Sequence, residues 1–329
     1  MNFTLDTGVR TISENIGLEK AHRKEMVKNA IPFGITYLDR ALDGIFSNDL
    51  ILVTARTGGG KTELLTHIAT NAVLGGKRVL FFALEASRFE IERRIKFKLI
   101  SEEYFSQPVQ IRGQHELTYH NWFLGKNDDI VSEIEPFIEN KMRKAFENFH
   151  VFYRKKEFTV DTFERVLLSH QNQTDLVVID HLNYFDFEEL SNENAAISRI
   201  VKQISDLRDL AEKPILLAVH LKKRDTKERA SILPDLEDIH GSSNITKIAT
   251  NAIVMAPSNL NSANHKEFGT YMRVAKHRSN GSATRYVGHV KYLIEQNTYK
   301  PEMSIGLYKP HQENFVGLNR GEMPQWALG

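Results

Sequence analysis

The chain has 329 residues, with 43 lysines and arginines against 42 aspartates and glutamates. So even a balance excludes a uniformly basic protein, and any surface for nucleic acid must be local. The absence of cysteine excludes disulfides and thiolate zinc sites, and no run nears the ~20 apolar residues that span a bilayer.

The opening, MNFTLDTGVRTISEN, lacks the charged region and apolar core of a secretory signal. The expectation is a soluble protein without membrane contact, working in the cytoplasm, or in a host's cytoplasm if a phage encodes it. Residues 1–30 are polar, with a capping-box pattern at Thr11-Ile-Ser-Glu14 and sparse apolar positions at Ile12, Ile16 and Met26. Such a helix has little to bury against its own domain. It reads either as a frayed terminus or as a linker helix docked on a neighbouring subunit.

From Pro32 strand and helix patterns alternate. Leu50-Ile-Leu-Val-Thr54 suits a strand buried on both faces. It runs into Ala55, Arg56, Thr57, Gly58, Gly59, Gly60, Lys61 and Thr62. Residues 62–74 then place Leu64, Leu65, Ile68, Ala69 and Ala72 at helical spacing. Strand, triple glycine, Lys-Thr and amphipathic helix in that order make a phosphate-binding loop. The glycines let backbone amides turn inward, and the helix start faces a polyphosphate. Lys61 reaches the β- and γ-phosphates, and the Thr62 hydroxyl holds Mg²⁺. The expected cofactors are ATP (or another nucleoside triphosphate) and Mg²⁺.

Further strands are expected at 78–84, 149–153, 175–180, 214–220, 251–256 and 270–276, with helices at 88–100, 133–148, 159–171 and 193–212. This alternation predicts an α/β fold with a mostly parallel central sheet and helices on both faces. Residues 101–132 break the rhythm with glycine, proline and polar residues, and read as an irregular excursion within a domain spanning 31–329.

Hydrolysis of a nucleoside triphosphate needs a second strand that ends in a Mg²⁺-holding carboxylate. Leu176-Val-Val-Ile-Asp180 is such a strand, and Asp180 is the expected ligand. Many related ATPases follow this Asp with a Glu that activates water, but here His181 follows, so the base must come from elsewhere. Glu85, just beyond Val79-Leu-Phe-Phe-Ala-Leu84, is the expected base. His220 closes Ile215-Leu-Leu-Ala-Val-His at the same sheet edge, where open α/β sheets bind ligands. It is placed to sense the γ-phosphate, with a loop-satisfied histidine as the alternative.

Beyond it, residues 222–229 hold Lys222, Lys223, Arg224, Lys227 and Arg229 with two acids, a local net of +3. A run of charge is usually a solvated face. Here it leaves the sheet edge beside the nucleotide chemistry, which suits contact with a DNA phosphate backbone. Asn183-Tyr-Phe-Asp-Phe-Glu-Glu189 offers aromatics for base stacking, or simply for core packing. Lys276 and Arg278 lie two apart in Val274-Ala-Lys-His-Arg-Ser-Asn-Gly281, so a strand would project them from one face. Nothing in their own domain obviously needs them. They could complete the site of an adjacent subunit, where a cation supplied in trans stabilises transition-state charge.

Taken together these segments resemble the C-terminal, RecA-like domain of DnaB-type hexameric replicative helicases. That family's phosphate loop commonly starts with Ala, as in A-R-P-S-x-G-K-T, and Ala55-Arg-Thr-Gly-Gly-Gly-Lys-Thr62 is similar. Pro32-Phe-Gly-Ile-Thr-Tyr-Leu-Asp39 resembles its entry to the first strand. Phe82-Ala-Leu-Glu85 resembles F-S-L-E, and Ile179-Asp-His-Leu-Asn183 stands where the family has I-D-Y-L-Q. Ile197-Ser-Arg-Ile-Val-Lys202 is similar to I-S-R-x-L-K, Ala218-Val-His-Leu221 takes the place of L-S-Q-L, and Ala275-Lys-His-Arg278 with Gly281 fits A-K-x-R-x-G.

The resemblance spans roughly residues 30–310. It implies a RecA-like ATPase assembled as a hexameric ring that translocates 5′→3′ on single-stranded DNA and unwinds duplex. It also implies Glu85 as catalytic base, and Lys276 and Arg278 as the lysine and arginine finger inserted into the next subunit. Two departures stand out: His220 and Asn183 both replace Gln, the former in a role coupling γ-phosphate to DNA-binding loops. The family's N-terminal collar, which recruits primase, does not fit in 30 residues, so a loader or primase partner is expected to act from outside. The rival readings are a recombinase-like ATPase that forms filaments or rings, and a regulatory nucleotide-binding module without motor action.

Overall fold

The computed structural model describes residues 11–108, 116–186, 193–221, 231–239, 242–258 and 267–328. Nine strands form one sheet: β1 Leu50–Ala55, β2 Val79–Ala83, β3 Phe149–Tyr153, β4 Leu176–Asp180, β5 Ile215–His220, β6 Asn251–Ser258, β7 Glu267–His277, β8 Tyr286–Leu293 and β9 Thr298–Leu307. Their order across the sheet is β3-β2-β4-β5-β1-β6-β7-β8-β9. The strands from β3 to β6 pair in parallel, and β6 to β9 continue as antiparallel neighbours. This is the expected RecA-like α/β fold, a mostly parallel sheet flanked by helices.

The helices are α1 Ile12–Asn29, α2 Thr36–Leu42, α3 Lys61–Leu74, α4 Glu90–Ser106, α5 Tyr119–Phe123, α6 Asp128–Val131, α7 Ile134–Ala145, α8 Val160–His170, α9 Glu193–Ala211, α10 Ser242–Ile248 and α11 Gln325–Leu328. The central parallel strands β1, β2, β4 and β5 are largely apolar because both their faces are covered, while β3 at the sheet edge is half-buried. Ile51, Val53, Phe81 and Val178 pack on the face that carries α3, α4 and α7. Leu50, Leu52, Phe82, Val177 and Ile179 pack on the other, against α8 and α9. Phe82 sits within 5.0–5.8 Å of the Phe152, Phe158 and Phe163 rings. Its truncation to alanine removes a buried aromatic and costs about 3–5 kcal/mol.

Three features depart from expectation. Strands β8 and β9 are additional to those expected, and β7 is longer than the expected 270–276. Helix α4 continues to Ser106, into the expected irregular excursion, and the described part of that stretch holds the helical turns α5 and α6. As expected, Thr11 and Glu14 form a capping box at the start of α1, and α1 buries no residue, with Ile12 85% and Ile16 65% exposed.

Candidate functional site: a phosphate loop ringed by two carboxylates and two histidines

The edge formed by the carboxyl ends of the parallel strands gathers the predicted chemistry. β1 delivers Ala55 to the loop, and α3 leaves it at Lys61. Gly58 and Gly60 adopt φ of 74° and 84°, a region that side chains other than glycine rarely enter. Gly59 is required for a different reason. A Cβ there would lie 2.8 Å from both the Ala55 methyl and the Arg56 carbonyl oxygen. Arg56, Thr57 and Gly58 are exposed at the tip, while Lys61 is buried and donates to the Ala55 carbonyl at 3.1 Å. The loop thus stays wrapped around its own lysine. Burial pulls the Lys61 ammonium below its ordinary pKa, and the charges of Asp180 and Glu85 push back.

Strand register fixes the partners. Ala83 of β2 pairs with Asp180 of β4, and Ala55 of β1 pairs with His220 of β5. The Asp180 carbonyl accepts from the Leu84 N–H at 2.8 Å and from the Glu85 N–H at 3.3 Å, which ties the two carboxylate-bearing strand ends together. Glu85, Asp180, His220 and loop residues Thr57 to Thr62 line one cavity of about 450 Å³. A slightly larger cavity, about 540 Å³, opens at the opposite sheet edge beneath α1. The chemistry lies in the smaller one.

Asp180 is 1% exposed, and neither carboxylate oxygen has a partner among the described residues. Burial pushes its pKa up to about 6. The Thr62 hydroxyl lies close enough to oppose the shift without closing a hydrogen bond of normal geometry, and Glu85 adds to it. An orphaned buried carboxylate beside a hydroxyl is an oxygen donor set of the kind Mg²⁺ takes. Glu85 is half-exposed, and its Oε2 lies 2.9 Å from His181 Nε2. Burial lowers the His181 pKa to about 3 and that of His220 to about 4. His181 is therefore neutral at neutral pH, and its contact with Glu85 is not an ion pair. His181 Nε2 also lies 2.7 Å from His220 Nε2, and the Asn183 side-chain oxygen accepts from the His220 N–H at 3.4 Å.

Sequence reading missed Arg94 and Glu90, which line the same cavity. Arg94 of α4 is held by Glu90 at 2.9 Å and by Glu63 of α3. No motif signals them, because they enter through the packing of α4 on α3.

Lys276 and Arg278 are not in this site. Lys276 of β7 pairs with Ala252 of β6, which pairs in turn with Leu52 of β1. That is the amino-terminal end of the parallel strands, the edge away from the chain's own loop. The expectation that nothing in the domain needs Lys276 is corrected here. Its ammonium donates to the carbonyls of Thr246, Lys247 and Ala249 at 2.5, 3.1 and 2.6 Å, satisfying the C-terminal end of α10. Arg278 falls just past the end of β7, exposed, with its backbone N–H on the Thr250 carbonyl at 3.1 Å. Lys222, Lys223, Arg224, Lys227 and Arg229 lie outside the described residues, as do residues 187–189 of the aromatic loop.

The sequence profile of the DnaB-like helicase C terminal domain matches residues 30–298. The chain belongs to the DnaB-like helicase C-terminal domain family. It is 27% identical to a probable replicative DNA helicase of Trieres chinensis over 220 residues, 66% of this chain and 45% of that protein. It is 26% identical to the replicative DNA helicase DnaB of Geobacillus stearothermophilus over 238 residues, 70% of this chain and 48% of the relative. The chain thus spans about half the length of these curated relatives. Among solved structures, one described as an ATPase domain superposes with a TM-score of 0.65 at 17% identity, covering 88% of this chain and 98% of that one. A DnaB-like replicative helicase described with its interactions with primase gives a TM-score of 0.61, also at 17% identity, over 88% and 67%. Both support the fold. No helix among the described residues is long and apolar enough to cross a membrane.

Proposed function

We propose that this DnaB-family chain is the ATPase motor of a replicative DNA helicase, assembled as a ring, a hexamer as the family resemblance implies. It hydrolyses ATP to translocate 5′→3′ on single-stranded DNA and to unwind duplex. The loop amides and Lys61 hold the phosphates, and Thr62 and Asp180 hold Mg²⁺. Bound there, the ion neutralises charge on the β- and γ-phosphates. Glu85 takes the proton of the attacking water, and His220 reads the γ-phosphate and passes its state to Asn183 through their shared hydrogen bond. Lys222, Lys223, Arg224, Lys227 and Arg229 contact the DNA backbone. Helix α1, which buries no residue in its own domain, docks on a neighbouring subunit, and a loader or primase is a further partner.

One observation carries this reading. The cavity gathers the phosphate loop, Asp180 and Glu85, while Lys276 and Arg278 stand at the opposite sheet edge and cannot serve their own site. A site short of its finger is completed by a second copy. The test is ATPase rate against protein concentration, with and without single-stranded DNA. A steep, DNA-stimulated rise supports shared sites. A flat, DNA-blind rate means that the monomer hydrolyses alone and overturns the motor reading.

A further inference from the structure

We infer that Glu85, His181 and His220 form a binding site for a divalent transition metal of the Zn²⁺, Co²⁺ or Fe²⁺ class, separate from the Mg²⁺ position at Thr62 and Asp180. One ligand atom from each lies within 4.8 Å of the others. Two imidazoles and one carboxylate on a face with open positions is a ligand set that favours first-row transition metals over Mg²⁺, which prefers oxygen alone.

The hydrogen bonding around His181 independently points to a cation. Its Nε2 faces Glu85 Oε2 at 2.9 Å and His220 Nε2 at 2.7 Å. A neutral imidazole nitrogen carries either one proton or one lone pair. If Nε2 is protonated, that hydrogen serves two acceptors unless His220 turns its own N–H toward it, which sets two donors face to face. If Nε2 is bare, it meets the carboxylate lone pair to lone pair. A cation removes the conflict. The proton of His181 then sits on Nδ1, and Nε2, His220 Nε2 and the Glu85 carboxylate all present lone pairs to the metal, with no proton gained or lost.

The fit requires little movement. Zinc–nitrogen bonds of about 2.1 Å in tetrahedral geometry place the two nitrogens about 3.4 Å apart. The rings must therefore open by about 0.7 Å from 2.7 Å. His181 is 2% exposed and fixed, while His220 is half-buried and free to yield. Against tight binding, His181 Nδ1 is buried with no acceptor among the described residues. The outer-shell partner it lacks is worth about 10–100-fold in affinity. The site is therefore a reversible one, set by the supply of metal.

The consequence for turnover rests on the function proposed above. A metal here takes the lone pairs of Glu85 and His220, the base and the γ-phosphate reader, and silences hydrolysis while leaving the phosphate loop untouched.

The test is titration of the nucleotide-free full chain with Co²⁺, read by its visible d–d absorption. The expected result is a saturable signal of one Co²⁺ per chain, displaced by Zn²⁺ and not by excess Mg²⁺. His220→Asn and His181→Ala should each weaken it at least tenfold, with His220→Asn the safer variant because its side chain is not deeply packed. The chain has thirteen histidines in all, so a signal that survives at full strength in a folded His220→Asn belongs elsewhere and overturns the proposal. So does absence of signal, or displacement by Mg²⁺. Zn²⁺ inhibition of Mg²⁺-ATP turnover is then read separately. A chain that binds Co²⁺ but never hydrolyses ATP refutes the motor and keeps the metal site.

Discussion

Asp180 is expected to weaken the empty protein in order to serve the occupied one, and Asp180→Asn tests this. The carboxylate is 1% exposed without a hydrogen-bond partner among the described residues, and its pKa stands at about 6 against an ordinary 3.8. For a carboxyl group raised in the folded state, the penalty is full above the folded pKa. It fades as pH falls and vanishes below the unfolded value. The gap corresponds to about 3 kcal/mol at pH 7 and about half that at pH 5. Asparagine removes this pH-dependent penalty but brings a buried amide of its own, costing about 1–3 kcal/mol at any pH. The amide cost cancels in the difference between the two pH values. His181 and His220 stay neutral at both, with pKa values near 3 and 4. Urea unfolding of the nucleotide-free wild type and variant should therefore show Asp180→Asn more favourable at pH 7 than at pH 5, by about 1.5 kcal/mol. The same variant should lose Mg²⁺-dependent stabilisation by nucleotide. A difference of zero, or of the opposite sign, would show that Asp180 is not a strained carboxylate and would refute the reasoning.

Glu85→Gln should bind nucleotide normally yet turn over about 10²–10⁴-fold more slowly in a steady-state ATPase assay, and near-wild-type turnover would remove Glu85 from the base role. Gly59→Ala should abolish nucleotide binding by equilibrium dialysis while circular dichroism stays unchanged, because the added Cβ meets backbone at 2.8 Å only within the loop. Arg278→Ala should be inactive alone and regain part of its activity when mixed with Lys61→Ala. The mixture pairs an intact loop with an intact finger, and no recovery on mixing counts against a shared site.

Much of the site was legible because its chemistry is local. A phosphate loop declares itself in consecutive residues, and Asp180, Glu85 and His220 each terminate an apolar run. Parallel register then brings three strand ends to one edge. What stayed hidden depends on long-range geometry. The pairing of His181 with His220 joins residues 39 apart, and Lys276 meets α10 across 27 to 30 residues. Strands β8 and β9 escaped notice for another reason. A bulge between Val290 and Tyr292 breaks the alternation of β8, and β9, at the sheet edge, carries Lys300, Pro301 and Glu302 in place of a continuous apolar face.

The three carbonyls that hold Lys276 give the proposed assembly a local counterpart inside each chain. An ammonium has three N–H donors, and all three are engaged at the end of α10. Reaching a neighbour's phosphates means letting go of that helix, whose last carbonyls then lose this donor. In the assembly proposed above, a subunit that completes its neighbour's site slackens its own α10, which packs on α9 through Ile245. In that proposed assembly, occupancy at one interface is written into the helical layer of the donor, where amide exchange across residues 246–250 would read it.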